Sequence, residues 1–467
     1  MSNEAECAAM IKLTYDQGTV VVDNFPKHLE TRFEFLRWDN RTQQYRVPGY
    51  RYRELIEDFS EADLEFDDAV RSYEKTATDL KEPIKPRAHQ QEAQDAWMKA
   101  SCRSTVCLPT GAGKTILAVL TIAEIKRSTL VVVPTLDLMS QWEAVLEKFI
   151  GEPIGLLGGG SHDIQPITIA TYDSGQMHIE RYGNRFGFLI FDECHHLPGP
   201  LYQKIALCSI APYRLGLSAT LERADGKESV IYDLVGPLVY EGDVQQMIGA
   251  GLAPYEVITI EVPMNEKEQD QYDRARGMYT DFIKKQRINM SAPNGWQTFM
   301  FKSSRSAEGK LAMKAFREQK QLAQASANKL KELWQIIRFH REDRMIIFTN
   351  DNALAYRIGK LFLLPVLTHQ TKMKERKRML AEFKEGHLKI LVTSKVLNEG
   401  VDVPEASVGV VVSGSSAIRE HVQRLGRILR AQKDKTAILY ELISQGTSEY
   451  FVNKRRREHR AYQRPSY

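Results

Sequence analysis

One octapeptide constrains this chain more than any other stretch. Leu108–Thr115 reads LPTGAGKT and sits between a short apolar run, Thr105–Leu108, and a helix-like run, Ile116–Leu120. Strand, glycine loop and helix in that order build part of a parallel α/β unit. Gly111 and Gly113 let the backbone turn its N–H groups into one hollow at a positive helix N-terminus, and such a hollow takes a phosphate. Lys114 is placed to reach β- and γ-phosphates, and the Thr115 hydroxyl to ligate Mg²⁺. Pro109, Thr110 and Ala112 complete the loop. The strict pattern G-x-x-x-x-G-K-[ST] would have its first glycine at Leu108, so this loop is a variant. An ordinary turn before a helix is the alternative, and only partners elsewhere in the chain can remove it.

The first partner is FLIFDECHHL at Phe188–Leu197, an apolar strand that ends in Asp192-Glu193. A carboxylate at the carboxyl end of a parallel strand faces the ligand crevice. Asp192 is placed to hold Mg²⁺, directly or through water, and Glu193 to orient or deprotonate an attacking water. His195 and His196 adjoin the pair without a third metal ligand. His195 reads as a hydrogen-bonding relay of nucleotide state and His196 as a structural histidine. The second partner is QRLGRILR at Gln423–Arg430. On a helix Gln423, Arg427 and Arg430 share a face, and planar, permanently charged guanidiniums suit phosphates. Arg427 and Arg430 are therefore candidate arginine fingers, with a solvated basic face as the alternative.

Weaker signals complete the set. Gln90 precedes the loop, with Arg87 just before it, and a Gln amide can pair with adenine N6 and N7. Ser218-Ala219-Thr220 follows a strand end. Asn398-Glu399-Gly400 with Asp402 follows another and ends at Pro404, so Gly400 and Asp402 are candidates for a ribose or DNA-backbone contact.

The chain of 467 residues has room for about two to four domains. Residues 11–53 alternate as short strands would, at Ile11–Tyr15, Thr19–Val22, Arg32–Leu36 and Tyr45–Val47. Phe33, Phe35, Trp38, Tyr45, Tyr50 and Tyr52 interleave there with six arginines. Two readings fit: a core face with solvated arginines, or a surface that stacks on bases. Helix-like Tyr52–Phe59 and an acidic stretch lead to Pro83 and Pro86, which mark a boundary. Strand–helix alternation then gives strands at Thr105–Leu108, Thr129–Val133, Ile167–Ala170, Phe188–Phe191, Arg214–Leu217 and Leu238–Tyr240. They are continuous apolar runs, as strands covered on both faces should be. Val244–Gly251 reads as a connecting helix, followed by a strand at Tyr255–Val262. Residues 266–327 turn charged and helical in period. Alternation resumes at Met345–Thr349, Lys389–Val392, Val408–Val412 and Thr436–Glu441.

The overall net charge of +4 says little, but its distribution is uneven. Residues 1–82 carry a net −7, residues 284–320 a net +7 and residues 454–467 a net +5. Basic stretches are candidate nucleic-acid contacts, and Lys284, Lys285 and Arg287 open the first of them. The five cysteines form no C-x-x-C pair, which fits a reduced compartment and no zinc or iron–sulfur site. No secretory signal and no bilayer-length apolar run is present, so the expected location is the cytoplasm, with no membrane partner.

In this order the motifs resemble those of superfamily-two helicases: Gln90, LPTGAGKT, Val132–Thr135, DECH at 192–195, SAT at 218–220, Ile346–Thr349, the 398–404 loop and QRLGRILR. The loop resembles the P-T-G-x-G-K-T form common among them. LSAT followed by Arg223-Ala224-Asp225, ATYDS at 170–174, FDECHHLP and the ending ILYELIS look more closely like the XPB helicase family, in its compact archaeal form. The resemblance covers about residues 83–467. It implies an α/β fold of two RecA-like parallel-sheet domains, 83–250 and 251–467, the second holding a helical thumb-like insertion at 264–325. It also implies a small N-terminal α/β domain at 1–82 tied to damaged-DNA recognition. The implied activity is a DNA-dependent ATPase using ATP and Mg²⁺, moving 3′→5′ and opening duplex DNA in nucleotide excision repair or promoter opening. ATP would bind between the two domains. DNA is the implied partner, with a nuclease as a protein partner. Arg223 and Asp225 would join His195, Ser218 and Thr220 in coupling to DNA. The family's Arg-Glu-Asp has Ala224 at its centre here, which puts that motif's role in doubt. A translocase that moves on duplex DNA without separating it, and a DNA-binding scaffold with a relic nucleotide site, are the competing readings.

Overall fold

The computed structural model describes residues 10–109, 111–221, 226–242, 255–290, 292, 294–394, 406–413, 437–447 and 449. Thr110, Arg223, Asp225, the helix expected at Val244–Gly251, Gly400, Asp402, Gln423, Arg427, Arg430 and the basic tail lie outside the described residues. The chain divides into two units, one carried by Met1–Leu108 with Gly113–Gly242, the other by Pro109–Ala112 with Asp243–Tyr467.

The first unit begins with a five-stranded sheet: β1 (Ile11–Asp16), β2 (Thr19–Asp23), β3 (Arg37–Asp39), β4 (Gln44–Pro48) and β5 (Phe66–Ala69), in the order β3-β4-β2-β1-β5. Helix α1 (Tyr52–Glu61) covers it. The strand expected at Arg32–Leu36 does not form. A 3-10 turn, Lys27–Arg32, and a loop stand there instead. Phe33 and Leu36 are both buried, so the inward positions fall three apart, a turn spacing rather than the period of two that a strand needs. The aromatics largely make core: Phe25, Phe33, Phe59 and Tyr45 pack with ring centroids 5.1–5.8 Å apart, while Trp38 stays 38% exposed.

The same unit continues with an eight-stranded sheet. Its strands are β6 (Arg103–Cys107), β7 (Thr129–Val133), β8 (Ile154–Gly158), β9 (Ser161–His162), β10 (Ile167–Thr171), β11 (Phe188–Asp192), β12 (Tyr213–Ser218) and β13 (Leu238–Glu241). The order is β13-β6-β12-β11-β7-β10-β8-β9, parallel except for the β8–β9 hairpin. Helices α2 (Ala88–Lys99), α3 (Lys114–Ile125), α4 (Leu136–Phe149), α5 (Tyr172–Tyr182), α6 (Gln203–Cys208) and α7 (Glu228–Leu234) supply the crossovers. Every residue of β7, β10 and β11 is buried, which is why these strands read as unbroken apolar runs. Strand β12 lies between β6 and β11. The register Asp192↔Leu217↔Val106 therefore brings three strand ends, and the loops after them, to one edge.

The second unit holds β14 (Tyr255–Val262), β15 (Met345–Phe348), β16 (Val366–Leu367), β17 (Ile390–Thr393), β18 (Val408–Val411) and β19 (Ala437–Ser444), all parallel, in the order β14-β19-β18-β15-β17-β16. Between β14 and β15 come α8 (Glu266–Lys285), α9 (Gly295–Ser304), α10 (Ala307–Gln324) and α11 (Ala327–Phe339). The first three close around a core of their own, built on Phe282, Phe299 and Phe316. Helices α12 (Asn352–Phe362) and α13 (Met373–Glu385) complete the unit. Among the described residues no helix is long and apolar enough to cross a membrane.

Candidate functional site

The loop after β6 needs glycine where it turns. Gly111 and Gly113 sit at φ +86° and +87°, where a side chain is strained, and a Cβ on Gly113 would stand 2.3 Å from Gln90 Nε2. Gly113 is also the residue from which α3 starts, so Lys114 and Thr115 occupy the first turn, where backbone N–H groups lack helical acceptors. Gln90 holds this turn from α2: its Oε1 accepts from Arg87 N at 2.9 Å and its Nε2 donates to the Gly113 carbonyl at 3.2 Å. The amide expected to read adenine is thus fixed against the loop through the backbone.

Lys114 and Glu193 meet across β12. The Lys114 ammonium lies 3.3 Å from Glu193 Oε1, and both side chains are about nine-tenths buried. Asp192 is buried beside them, with its two oxygens already oriented. Trp142 Nε1 donates to Oδ2 at 2.8 Å and the Glu193 N–H donates to Oδ1 at 3.0 Å. Burial, then the neighbouring Glu193 carboxylate, push the Asp192 carboxyl up to about 6, against the pull of Lys114 and Trp142. Tyr172 donates its hydroxyl to the Asp192 carbonyl at 3.1 Å. Glu193 itself has φ +47°, a conformation that costs a non-glycine residue about 1 kcal/mol or more and gathers at functional sites.

From Glu193 a line of close polar contacts runs sideways to the end of β12, hydrogen-bonded from His195 onward. His195 Nδ1 is 3.4 Å from Glu193 Oε2 and 3.0 Å from Ser218 Oγ. Ser218 has one hydroxyl hydrogen, which it gives to the Thr220 carbonyl at 2.6 Å. It must therefore accept from His195, which fixes the proton on Nδ1. The Thr220 N–H, 3.3 Å away, also points at the Ser218 oxygen. The structure thus brings together Gln90, Arg87, Gly113, Lys114, Glu193, Asp192, His195, Ser218 and Thr220 at the edge where β6, β12 and β11 end. Lys284, Lys285 and Arg287 stand elsewhere, exposed at the end of α8, where Lys285 pairs with Glu308 at 2.8 Å.

Two supporting residues escaped the sequence reading. Tyr172 lay inside ATYDS, which was noticed only as a stretch of likeness. Trp142 sits in α4 without any local signal. The polar atom of a buried tryptophan finds a partner, but nothing in the sequence says that the partner is fifty residues away.

The fold and this edge define a class. A crystal structure of the Pyrococcus furiosus Hef helicase domain aligns at TM-score 0.51 with 18% identity, over 79% of this chain and 98% of that one. Saccharomyces cerevisiae Dbp5 bound to RNA and ADP BeF3 aligns at 0.54 with 16% identity, over 81% and 89%. These likenesses show the fold: two RecA-like domains of the helicase type. Three family models match: "Type III restriction enzyme, res subunit" over 83–223, "Xeroderma pigmentosum group B helicase damage recognition domain" over 13–70 and "ERCC3/RAD25/XPB C-terminal helicase" over 308–467. "DNA 3'-5' translocase XPB2" of Sulfurisphaera tokodaii is 36% identical over 449 residues, 96% of this chain and 100% of that protein. "DNA 3'-5' helicase XPB" of Mycobacterium tuberculosis is 29% identical over 79% of this chain. The Schizosaccharomyces pombe "General transcription and DNA repair factor IIH helicase/translocase subunit XPB" is 25% identical over 75% of it. The chain spans 63% and 42% of these two relatives' lengths. It belongs to the XPB family of superfamily-two helicases.

Proposed function

We propose that the chain is an ATP-dependent DNA motor of 3′→5′ polarity, working in DNA repair and transcription as its relatives' names indicate. The observation that carries this is the buried Lys114–Glu193–His195–Ser218 chain at the end of three adjacent strands. It joins the glycine loop to His195, and supports a reading in which these residues take the positioning roles of phosphoryl transfer. Lys114 and the loop N–H groups would hold the nucleotide phosphates, and Gln90 would meet the adenine. Glu193 would orient the attacking water, with the Lys114 ammonium 3.3 Å from its Oε1. The positive-φ glycines make a cradle that a Cβ would fill, which fits phosphates. Thr115 and Asp192 would hold Mg²⁺, Asp192 directly or through water, with its oxygens oriented by Trp142 and the Glu193 N–H. Bound there, the ion would neutralise charge building on the phosphates.

The test is ATP hydrolysis with single-stranded, duplex and forked DNA. Stimulation by at least one of these supports the reading, and hydrolysis indifferent to all of them overturns it. A second reading, movement along duplex DNA without strand separation, is favoured by the name of the 36%-identical relative, "DNA 3'-5' translocase XPB2". Triplex displacement without unwinding of a fork would select it. A nuclease partner is part of the same proposal, and co-purification with a DNA-cutting activity would test it.

A further inference from the structure

Where the N-terminal sheet meets the first RecA-like sheet, the contact is built closely. The Tyr15 hydroxyl lies 2.8 Å from the Cys208 carbonyl and 3.2 Å from that of Ile179. A Cβ on Gly18 would come within 2.5 Å of Cys208 Sγ, and one on Gly49 within 2.7 Å of the Cys208 carbonyl. Ile210, which lies between α6 and β12, is buried in the core of the N-terminal sheet. The N-terminal sheet and the first RecA-like sheet are therefore one body.

Beside this contact lies a hollow of about 510 Å³, walled by Tyr52, Arg53, Arg71 and Tyr73 on one side and by Cys102 and Tyr213 on the other. It opens at the amino ends of β6 and β12, whereas the phosphate loop and Ser218 stand at their carboxyl ends. Strands of five or six residues hold the two places about 17–20 Å apart. The volume falls in the range of small-molecule sites, which favour domain boundaries and aromatic walls with a few polar groups.

The lining has a particular chemistry. The Tyr52 hydroxyl is fixed by Asp68 at 2.5 Å, so its ring is held in place. Arg71 pairs with Asp68 at 2.9 Å through one terminal nitrogen and also meets the Tyr73 hydroxyl. Arg53 pairs with Glu57 at 2.8 Å through Nε alone. A guanidinium has five donors, and these two side chains are 54% and 36% exposed, so several donors face the opening. Behind them Arg103 is disfavoured as a cation by burial and by Arg53, with Glu54, Tyr50 and Glu57 acting the other way. An anion in the hollow would relieve that crowding. Aromatic faces stack on planar bases, and guanidiniums fork onto phosphates.

We infer that this hollow binds a nucleotide unit, a base with its phosphate, at a site separate from the phosphate loop. The base stacks against Tyr73 and Tyr213, and the phosphate meets Arg53 and Arg71. The unit comes either from a free mononucleotide or from a DNA strand.

Cys102 supplies the readout, since its thiol is half-buried in the wall while Cys107 and Cys194 are buried. Burial raises the Cys102 thiol above its usual range, so the reaction is run at alkaline pH. The full chain carrying Lys114→Ala is alkylated with iodoacetamide and the Cys102 peptide is followed by mass spectrometry. With dAMP the rate should fall by 1 + [L]/Kd, about tenfold at ten times Kd. Protection by dAMP assigns a free nucleotide. Protection by a short single-stranded oligonucleotide alone assigns a DNA strand. In either case Arg71→Ala and Tyr213→Leu should abolish it and Tyr213→Phe should keep it. No protection by either probe, equal protection by inorganic phosphate, or protection that survives Arg71→Ala and Tyr213→Leu overturns the inference. The Lys114→Ala background keeps this outcome independent of the ATP site.

Discussion

In the first RecA-like sheet the strands end in a phosphate loop, an Asp-Glu pair and Ser218. In the second, the same kind of parallel strands end in Thr349, Thr393-Ser394 and Ser413, all buried. Their hydroxyls serve the backbone and the Asn352 amide. Thr349 Oγ1 donates to the Asp351 carbonyl at 2.9 Å with the Thr393 carbonyl 3.2 Å away, the Ser413 hydroxyl accepts from Asn350 N at 2.9 Å, and the Ser394 hydroxyl donates to Asn352 Oδ1 at 2.6 Å. At these three ends no described residue forms a lysine–carboxylate pair like Lys114–Glu193; the second unit's buried pair, Lys329–Glu449 at 2.7 Å, lies past the end of β19, where the Ser444 N–H donates to the same Glu449 oxygen. One scaffold is thus used twice. Its first copy holds buried, opposed charges after β6 and β11, and its second holds small neutral groups after β15, β17 and β18. What separates them is the residues after the strands, not the strands themselves.

The comparison can be broken most directly at the charged edge. Lys114→Ala and Glu193→Gln should each bring DNA-stimulated ATP hydrolysis to background while the protein stays folded by circular dichroism. Normal turnover in either would remove the chemical distinction between the sheets. Arg430→Ala should lower turnover by roughly 10³-fold if it is an arginine finger, and a loss below about fivefold would make it a DNA contact instead. Ser218→Ala should separate hydrolysis from movement. With the His195 proton released from its acceptor, strand displacement per ATP should fall by about tenfold, in line with the loss of one charge-neutral hydrogen bond, while basal hydrolysis changes less. Equal loss in both would make Ser218 purely structural. In the second sheet, Ser413→Ala should cost only about 1 kcal/mol of stability in denaturant melts, the value of one buried hydrogen bond. Loss of turnover there would show that the neutral edge takes part in the chemistry. The smallest effect belongs to the exposed end of α8. Neutralising Lys284, Lys285 and Arg287 should flatten the salt dependence of DNA binding by at most about three units of slope, and an unchanged slope would assign those residues to solubility.

Much of this was legible in the chain, for a physical reason. Parallel strands covered on both faces must be apolar throughout, so Thr129–Val133, Ile167–Thr171 and Phe188–Asp192 announce themselves, and the polar residues that follow them stand out. Where strands are short, or lie at or next to an edge, the signal can fail. Phe66–Ala69 alternates, but its Asp67 and Asp68 sit in an acidic stretch that hides the pattern. Ile154–Gly158 ends in glycine, and Val366–Leu367 is two residues long. The apparent strand at Arg32–Leu36 misled because aromatic residues with high strand propensity stood at a turn spacing. At the site, the residues proposed to act stand out by type and position. Those that hold them, Trp142 and Tyr172, were not, because contacts across the fold leave no mark on the neighbouring sequence.

Strand β12 has Tyr213 at one end and Ser218 at the other, with the ladders to β6 and β11 on either side. It is the common spine of the nucleotide edge and of the hollow at the opposite edge. Side-chain changes can silence either end alone. A change that shifts the strand along its neighbours cannot be local: it would carry both ends with it, and the two sites would fail together.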